Sequence, residues 1–71
     1  MNNNTDVFEY YNLLFNNYPD VVKAKDLKEM LPRTGKNKVY DLLRTEQIKS
    51  KKIGKIYYIP KINIINYLIK N

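Results

Sequence analysis

Lys25-Asp26-Leu27-Lys28-Glu29-Met30-Leu31-Pro32-Arg33-Thr34-Gly35-Lys36-Asn37-Lys38-Val39-Tyr40-Asp41-Leu42-Leu43-Arg44 is the stretch that decides the fold. Leu27, Met30 and Leu31 recur at helical spacing, so residues 25–31 predict a short amphipathic helix. Pro32 stops it, because proline cannot continue the hydrogen-bond ladder. Arg33-Thr34-Gly35 is the turn, and Thr34 or Gly35 caps a second helix over residues 36–44. There Val39, Leu42 and Leu43 form the inward edge. Lys36, Asn37, Lys38, Tyr40, Asp41 and Arg44 are left outside. Two short helices joined by a tight glycine-containing turn make a helix-turn-helix.

Downstream, residues 49–59 predict a lysine-rich β-hairpin turning at Gly54-Lys55. Two registers are open. A two-residue loop pairs Ile53 with Ile56. A three-residue loop with a bulge pairs Ile53 with Tyr57 and groups Ile53, Tyr57 and Ile59 on one face. The second is preferred, since it gathers apolar side chains. Pro60 ends the hairpin. Residues 61–69 predict a last helix with Ile62, Ile65, Leu68 and Ile69 inward.

Upstream, residues 1–4 predict a disordered tail. Val7, Phe8, Tyr11, Leu14, Phe15 and Tyr18 then mark one stripe of a helix over residues 5–18. Thr5 or Asp6 can cap it, with Glu9 completing a capping box. Asn16-Asn17 and Pro19-Asp20 end it. The stripe either packs on the domain's own core or, through Phe8, Tyr11 and Phe15, offers a candidate partner surface. Val21-Val22 is a short extended connection. The fold class is therefore mostly α with a small β-hairpin, one domain over residues 5–71.

The chain has 71 residues, no cysteine and no histidine. Disulfides and the usual zinc sites are excluded, and stability must come from an apolar core. No apolar run approaches the roughly 18 residues of a membrane span. Met1-Asn2-Asn3-Asn4 lacks the features of a signal peptide, so a cytoplasmic location is expected. Histidine, cysteine, a glycine-rich phosphate loop and clustered acids are all missing, so no catalysis, no cofactor and no small-molecule substrate are expected.

Charge is segregated. Residues 1–31 carry three lysines against five carboxylates, a net of −2, while residues 32–71 carry a net of +8. Segregation of this kind marks a basic face. Asn, Lys, Ile and Tyr supply 36 of the 71 residues. All four have AT-rich codons, which points to a low-GC bacterial or phage source and lowers the weight of the lysine count.

The commonest partner for such a face is the phosphate backbone of a nucleic acid, and the helix-turn-helix makes double-stranded DNA the expected one. A helix-turn-helix presents its second helix to the major groove, with Lys36, Asn37 and Lys38 near base edges. Asn37 either reads adenine or helps start the helix. Tyr40 either packs or, with Arg44, touches phosphate. Asp41 pairs with Lys38 or Arg44, or reads a cytosine amine. Arg33 and Thr34 lie in the turn. The hairpin, as a wing on the adjacent minor groove, brings Lys51, Lys52, Lys55 and Tyr58 near phosphates. Alternatively, its lysines are a solvated edge that discourages aggregation. Tyr57 is read as core.

Residues 22–68 resemble the excisionase-type, MerR-like winged helix-turn-helix family. The matching pieces are the two helices quoted above, then Ile48-Lys49-Ser50-Lys51-Lys52-Ile53-Gly54-Lys55-Ile56-Tyr57-Tyr58-Ile59-Pro60-Lys61 and a final helix. The resemblance covers about two thirds of the chain. It implies a DNA-binding accessory protein of a phage or other mobile element. Such proteins bind and bend DNA beside attachment sites, often as a cooperative row of copies, and help a tyrosine-recombinase integrase excise the element. Many also repress promoters. The family's recognition helix and wing map onto residues 36–44 and 51–58.

The chain departs from the family pattern in three places. Glu46 stands where members often carry the glycine that closes the recognition helix. The turn Pro32-Arg33-Thr34-Gly35 is one residue longer than usual. Tyr58 stands where the returning strand often carries arginine. Three functions follow as expectations: an excisionase or recombination directionality factor, a small transcriptional regulator of a mobile element, or a protein-binding module working through the N-terminal aromatic helix.

Overall fold

A computed structural model describes residues 3–70. The first helix, α1, spans Asn3–Leu14. Met1 and Asn2 of the expected tail lie outside the described residues, but Asn3 and Asn4 are helical. Asp6 therefore stands inside the first turn rather than at the cap, where its charge still suits the helix N-terminus. The helix ends four residues earlier than the sequence reading placed it, at Leu14 rather than Tyr18. The chain then turns through Phe15 to Tyr18, held by Phe15 N–H to Tyr11 O (2.9 Å) and Tyr18 N–H to Phe15 O (3.0 Å).

Strand β1 is only Val21–Val22. Helix α2 follows at Ala24–Met30, with Lys23 as cap residue. The Asp26 carboxylate accepts the Lys23 backbone N–H at 3.1 Å, satisfying one orphan donor. Pro32 and its neighbours form the turn, closed by Thr34 N–H to Leu31 O at 2.9 Å. Helix α3 runs Lys36–Arg44, the span its periodicity predicts, with Gly35 as cap residue. Strands β2 (Lys51–Ile53) and β3 (Ile56–Pro60) form the hairpin, and α4 (Lys61–Lys70) begins as β3 ends.

The three strands make one antiparallel sheet in the order β1-β3-β2. The short connection at Val21-Val22 is thus a strand, pairing Val21 with Pro60 and Val22 with Ile59. In the hairpin, Ile53 pairs with Ile56 across a two-residue Gly54-Lys55 loop. This corrects the bulged register preferred from the sequence. Gly54 has φ +63° and Lys55 is not left-handed, as a II′ turn requires with glycine first. Turn chemistry overrode apolar grouping, and Ile53 and Ile56 are left exposed.

The core joins all parts of the chain. Phe15, Val22, Leu27, Met30, Leu31, Val39, Leu42, Leu43, Ile48, Ile59, Ile64 and Ile65 are buried, and no polar or charged described residue is buried with them. Each fully buried aliphatic side chain stabilises by about 1.5–3 kcal/mol. In α4 the inward residues are Ile64 and Ile65, with Leu68 and Ile69 partly covered, while Ile62 is 52% exposed. The expectation for Ile62 was therefore wrong. It follows Pro60 and Lys61 at the first turn, where the strand has just passed over the core.

Phe8, Tyr11 and Tyr18 pack against this core beside buried Phe15. The face offered from the sequence as a partner surface thus points inward. Val7 and Leu14 of the expected stripe are exposed, together with Tyr10 and Leu13. Two contacts hold the α1 segment down. Lys61 Nζ donates to the carbonyls of Phe15 (3.3 Å) and Tyr18 (3.0 Å). Tyr18 Oη donates to Glu29 Oε1 at 3.2 Å. Burial, then the Glu29 carboxylate, raises the Tyr18 phenol above its ordinary value, so it stays protonated and keeps donating at neutral pH. No helix among the described residues is long and apolar enough to cross a membrane.

Candidate nucleic-acid interface

The N-terminus of α3 sets free backbone donors among exposed cations. Gly35 adopts an extended cap conformation and supplies no side-chain oxygen. The first backbone N–H groups of α3 therefore have no capping acceptor, and the helix dipole adds positive potential there. Lys36, Asn37 and Lys38 are all exposed around that end. Arg33 is exposed in the turn just before it, and Thr34 is half-buried. Of α1, α3 and α4, helix α3 is the most sharply two-faced, with Val39, Leu42 and Leu43 anchoring its other side.

Farther along α3, Asp41 is paired with Arg44 one turn on. Both side chains are about half exposed or more, so the pair adds little stability. Its effect is electrostatic. The carboxylate is matched within the helix, and the cations of the first turn are left unopposed by it.

Tyr40 ties α3 to the hairpin. Its ring lies 6.0 Å from that of Tyr57, tilted by 56°. Tyr57 pairs across the hairpin with Lys52, whose Nζ stands 5.2 Å from the Tyr57 ring centroid. A half-buried aromatic pair and a cation–π contact thus run in one line from α3 to β2. Tyr57 is half core and half bridge, and Tyr40 resolves toward packing.

The strand pleat divides the hairpin residues into two groups. Lys52, Tyr57, Ile59 and Val22 share the face turned to α2 and α3. Lys51, Tyr58, Ile53, Ile56, Pro60 and Val21 share the opposite face. Lys52 is therefore gathered with α3, whereas Lys51 and Tyr58 are not. Lys55 stands in the exposed turn between the strands.

Two lysines that sequence reasoning passed over belong to the α3 side. Lys25 and Lys28 of α2 line a cleft of 130 Å³ with Ala24, Lys36, Val39 and Tyr40. The cleft itself is mainly apolar, walled by side-chain stems, but it shows that three lysines of α2 and α3 border one another on the same side of the body. The signal was available in the i, i+3 spacing of Lys25 and Lys28, which puts both on one face of α2. Only the packing angle of α2 on α3 could show that this face borders Lys36.

The chain matches no family model, no curated protein and no solved structure.

The helix exit restores an expected feature by other means. Glu46 has φ +61°, the left-handed conformation that glycine adopts without strain. Its N–H reaches Leu43 O at 3.2 Å, and Ile48 N–H reaches Leu42 O at 3.2 Å. This is close to a Schellman closure, with buried Ile48 as its apolar latch. It aims the chain from α3 toward β2 and so helps set where the hairpin stands.

Proposed function

We propose that this protein binds double-stranded DNA sequence-specifically as a winged helix-turn-helix. On this reading α3 is the recognition helix, and the β2–β3 hairpin is the wing. The observation that carries the reading is the Tyr40–Tyr57–Lys52 line, which couples α3, with its cationic, uncapped N-terminal end, to Lys52 of the hairpin on one side of the body. Lys36, Asn37 and Lys38 face base edges and phosphate at the groove floor and rim. Lys25, Lys28, Arg33, Lys52 and Lys55 flank them on the phosphate rails. Phosphate contacts give affinity and register, and base contacts give sequence preference.

Within that reading, the resemblance of residues 22–68 to excisionase-type proteins favours an accessory factor of a phage or other mobile element. It binds and bends DNA beside attachment sites and assists a tyrosine recombinase, with no chemistry of its own. A small transcriptional regulator with the same fold is the second reading, since the same DNA chemistry serves both. The protein-binding reading through Phe8, Tyr11 and Phe15 loses support, because those rings are packed on the core.

Selection from a randomised duplex pool tests the proposal. The reading expects enrichment of a short sequence, protected as a footprint on longer DNA. A pool that passes through repeated rounds unenriched, with no duplex retained at low salt, would remove it.

A further inference from the structure

Ile53 and Ile56 face each other across the hairpin turn, 58% and 43% exposed. All six residues from Lys51 to Ile56 are exposed, so this tip stands clear of the body. Neither side chain is part of the buried core. Single apolar residues on a surface are ordinary. A directly opposed aliphatic pair next to the turn of a hairpin is different, because lysines stand around it, with Tyr58 beside Lys51 on its own face. Lys52 stands on the α3 face, Lys51 on the opposite face, and Lys55 in the turn.

Resting on the proposed DNA-binding function, we infer that Ile53 and Ile56 form an apolar wedge that enters the minor groove and unstacks a base step. The occupant follows from charge complementarity. A hairpin with lysines on both faces suits a slot bounded by two phosphate rails, and an apolar tip suits the stacked bases between them. Dimensions point the same way. The minor groove of B-form DNA is about 6 Å wide. Two paired strands with backbones about 4.8 Å apart, plus their side chains, do not fit without opening it. Wedging a flexible pyrimidine–purine step kinks the duplex toward the major groove and widens the minor groove. The same placement accounts for Lys51, which lies on the face turned away from α3. It would meet the second rail.

The test uses a duplex enriched by the wild-type protein, with 2-aminopurine replacing adenine at each pyrimidine–purine step in turn and dyes at both ends. Wild type is expected to brighten one 2-aminopurine position and to bend the duplex by about 20–90°. The Ile53→Thr/Ile56→Thr variant keeps β-branched side chains at exposed positions, so its melting temperature should match wild type. It should still bind, with no brightening and a bend below about 20°. Ile53→Leu/Ile56→Leu keeps the apolar bulk and should behave as wild type.

A wild-type complex in which no position brightens overturns the wedge whatever the variants do. So does a threonine variant that keeps both signals, or a leucine variant that loses them while folded. None of these results touches DNA binding itself. If wild type enriches no sequence and retains no duplex, it is the DNA reading that fails, and the wedge with it.

Discussion

Glu46 lies just beyond the α3 cap residue Thr45, at φ +61°. A residue with a Cβ held in this region costs about 1–2 kcal/mol relative to one that can stay right-handed. Glycine at the same place carries no such strain but loses more backbone entropy on folding, roughly 0.5–1 kcal/mol. Glu46→Gly should therefore stabilise the fold by about 0.5–1 kcal/mol net. For a domain of this size each kcal/mol moves the melting temperature by about 4–8 °C, so an increase of about 2–8 °C is expected. Thermal unfolding followed by circular dichroism measures it. Glu46→Ala is the control, since it removes the carboxylate and keeps the strain; it should leave the melting temperature unchanged or lower. Equal increases for glycine and alanine would show that charge, not backbone conformation, is responsible. No increase for glycine would refute the left-handed exit from α3.

The remaining predictions divide folding from binding. Lys36→Ala and Asn37→Ala should each relax sequence preference by about 1–3 kcal/mol at one position, read by competition between matched and mismatched duplexes; unchanged discrimination would take that residue off the bases. Gly35→Asp adds a capping oxygen where a new Cβ has no atom within 4 Å. It should raise stability by a few tenths of a kcal/mol while weakening DNA binding, because the carboxylate occupies the anion site. Affinity that rises along with stability would count against that site. Lys61→Met removes the donor to Phe15 and Tyr18 and should lower stability by about 1.5 kcal/mol, seen as a lower urea midpoint at unchanged slope. An unmoved midpoint would mean that α1 does not depend on that clamp.

Local chemistry made much of this fold legible in the sequence. Pro32 and Gly35 bracket the turn, and Val39, Leu42 and Leu43 leave α3 one way to face, so its limits were readable. Pro60 likewise marks the change from β3 to α4. What escaped depends on contacts between distant residues. Val21-Val22 is too short to signal a strand, and becomes one only because β3 offers an edge. The hairpin register hinged on one glycine dihedral, which outweighed the gain from grouping Ile53 with Tyr57. Lys61 reads as a helix-starting lysine, yet its ammonium group closes the end of α1, 43 and 46 residues earlier in the chain.

The candidate site was legible as a set of residue types more than as a surface. Lys36, Asn37 and Lys38 stand where helical spacing put them. Alternation then separated Lys52 from Lys51 and Tyr58, a division that followed only once the register was known. Lys25 and Lys28 joined the site through the packing of α2 against α3. The aromatic residues of α1 were ambiguous because that helix is apolar around much of its circumference, so periodicity alone could not choose its inward face.

The most direct measurement is the salt dependence of binding to an enriched duplex. With about five of the α3-side cations on phosphates, log K should fall against log salt with a slope near −4.5. Lys52→Ala and Lys55→Ala should each flatten that slope by about 1. A wild-type slope shallower than about −1 would contradict the account, since α3 and the hairpin could not then both lie on the phosphate rails.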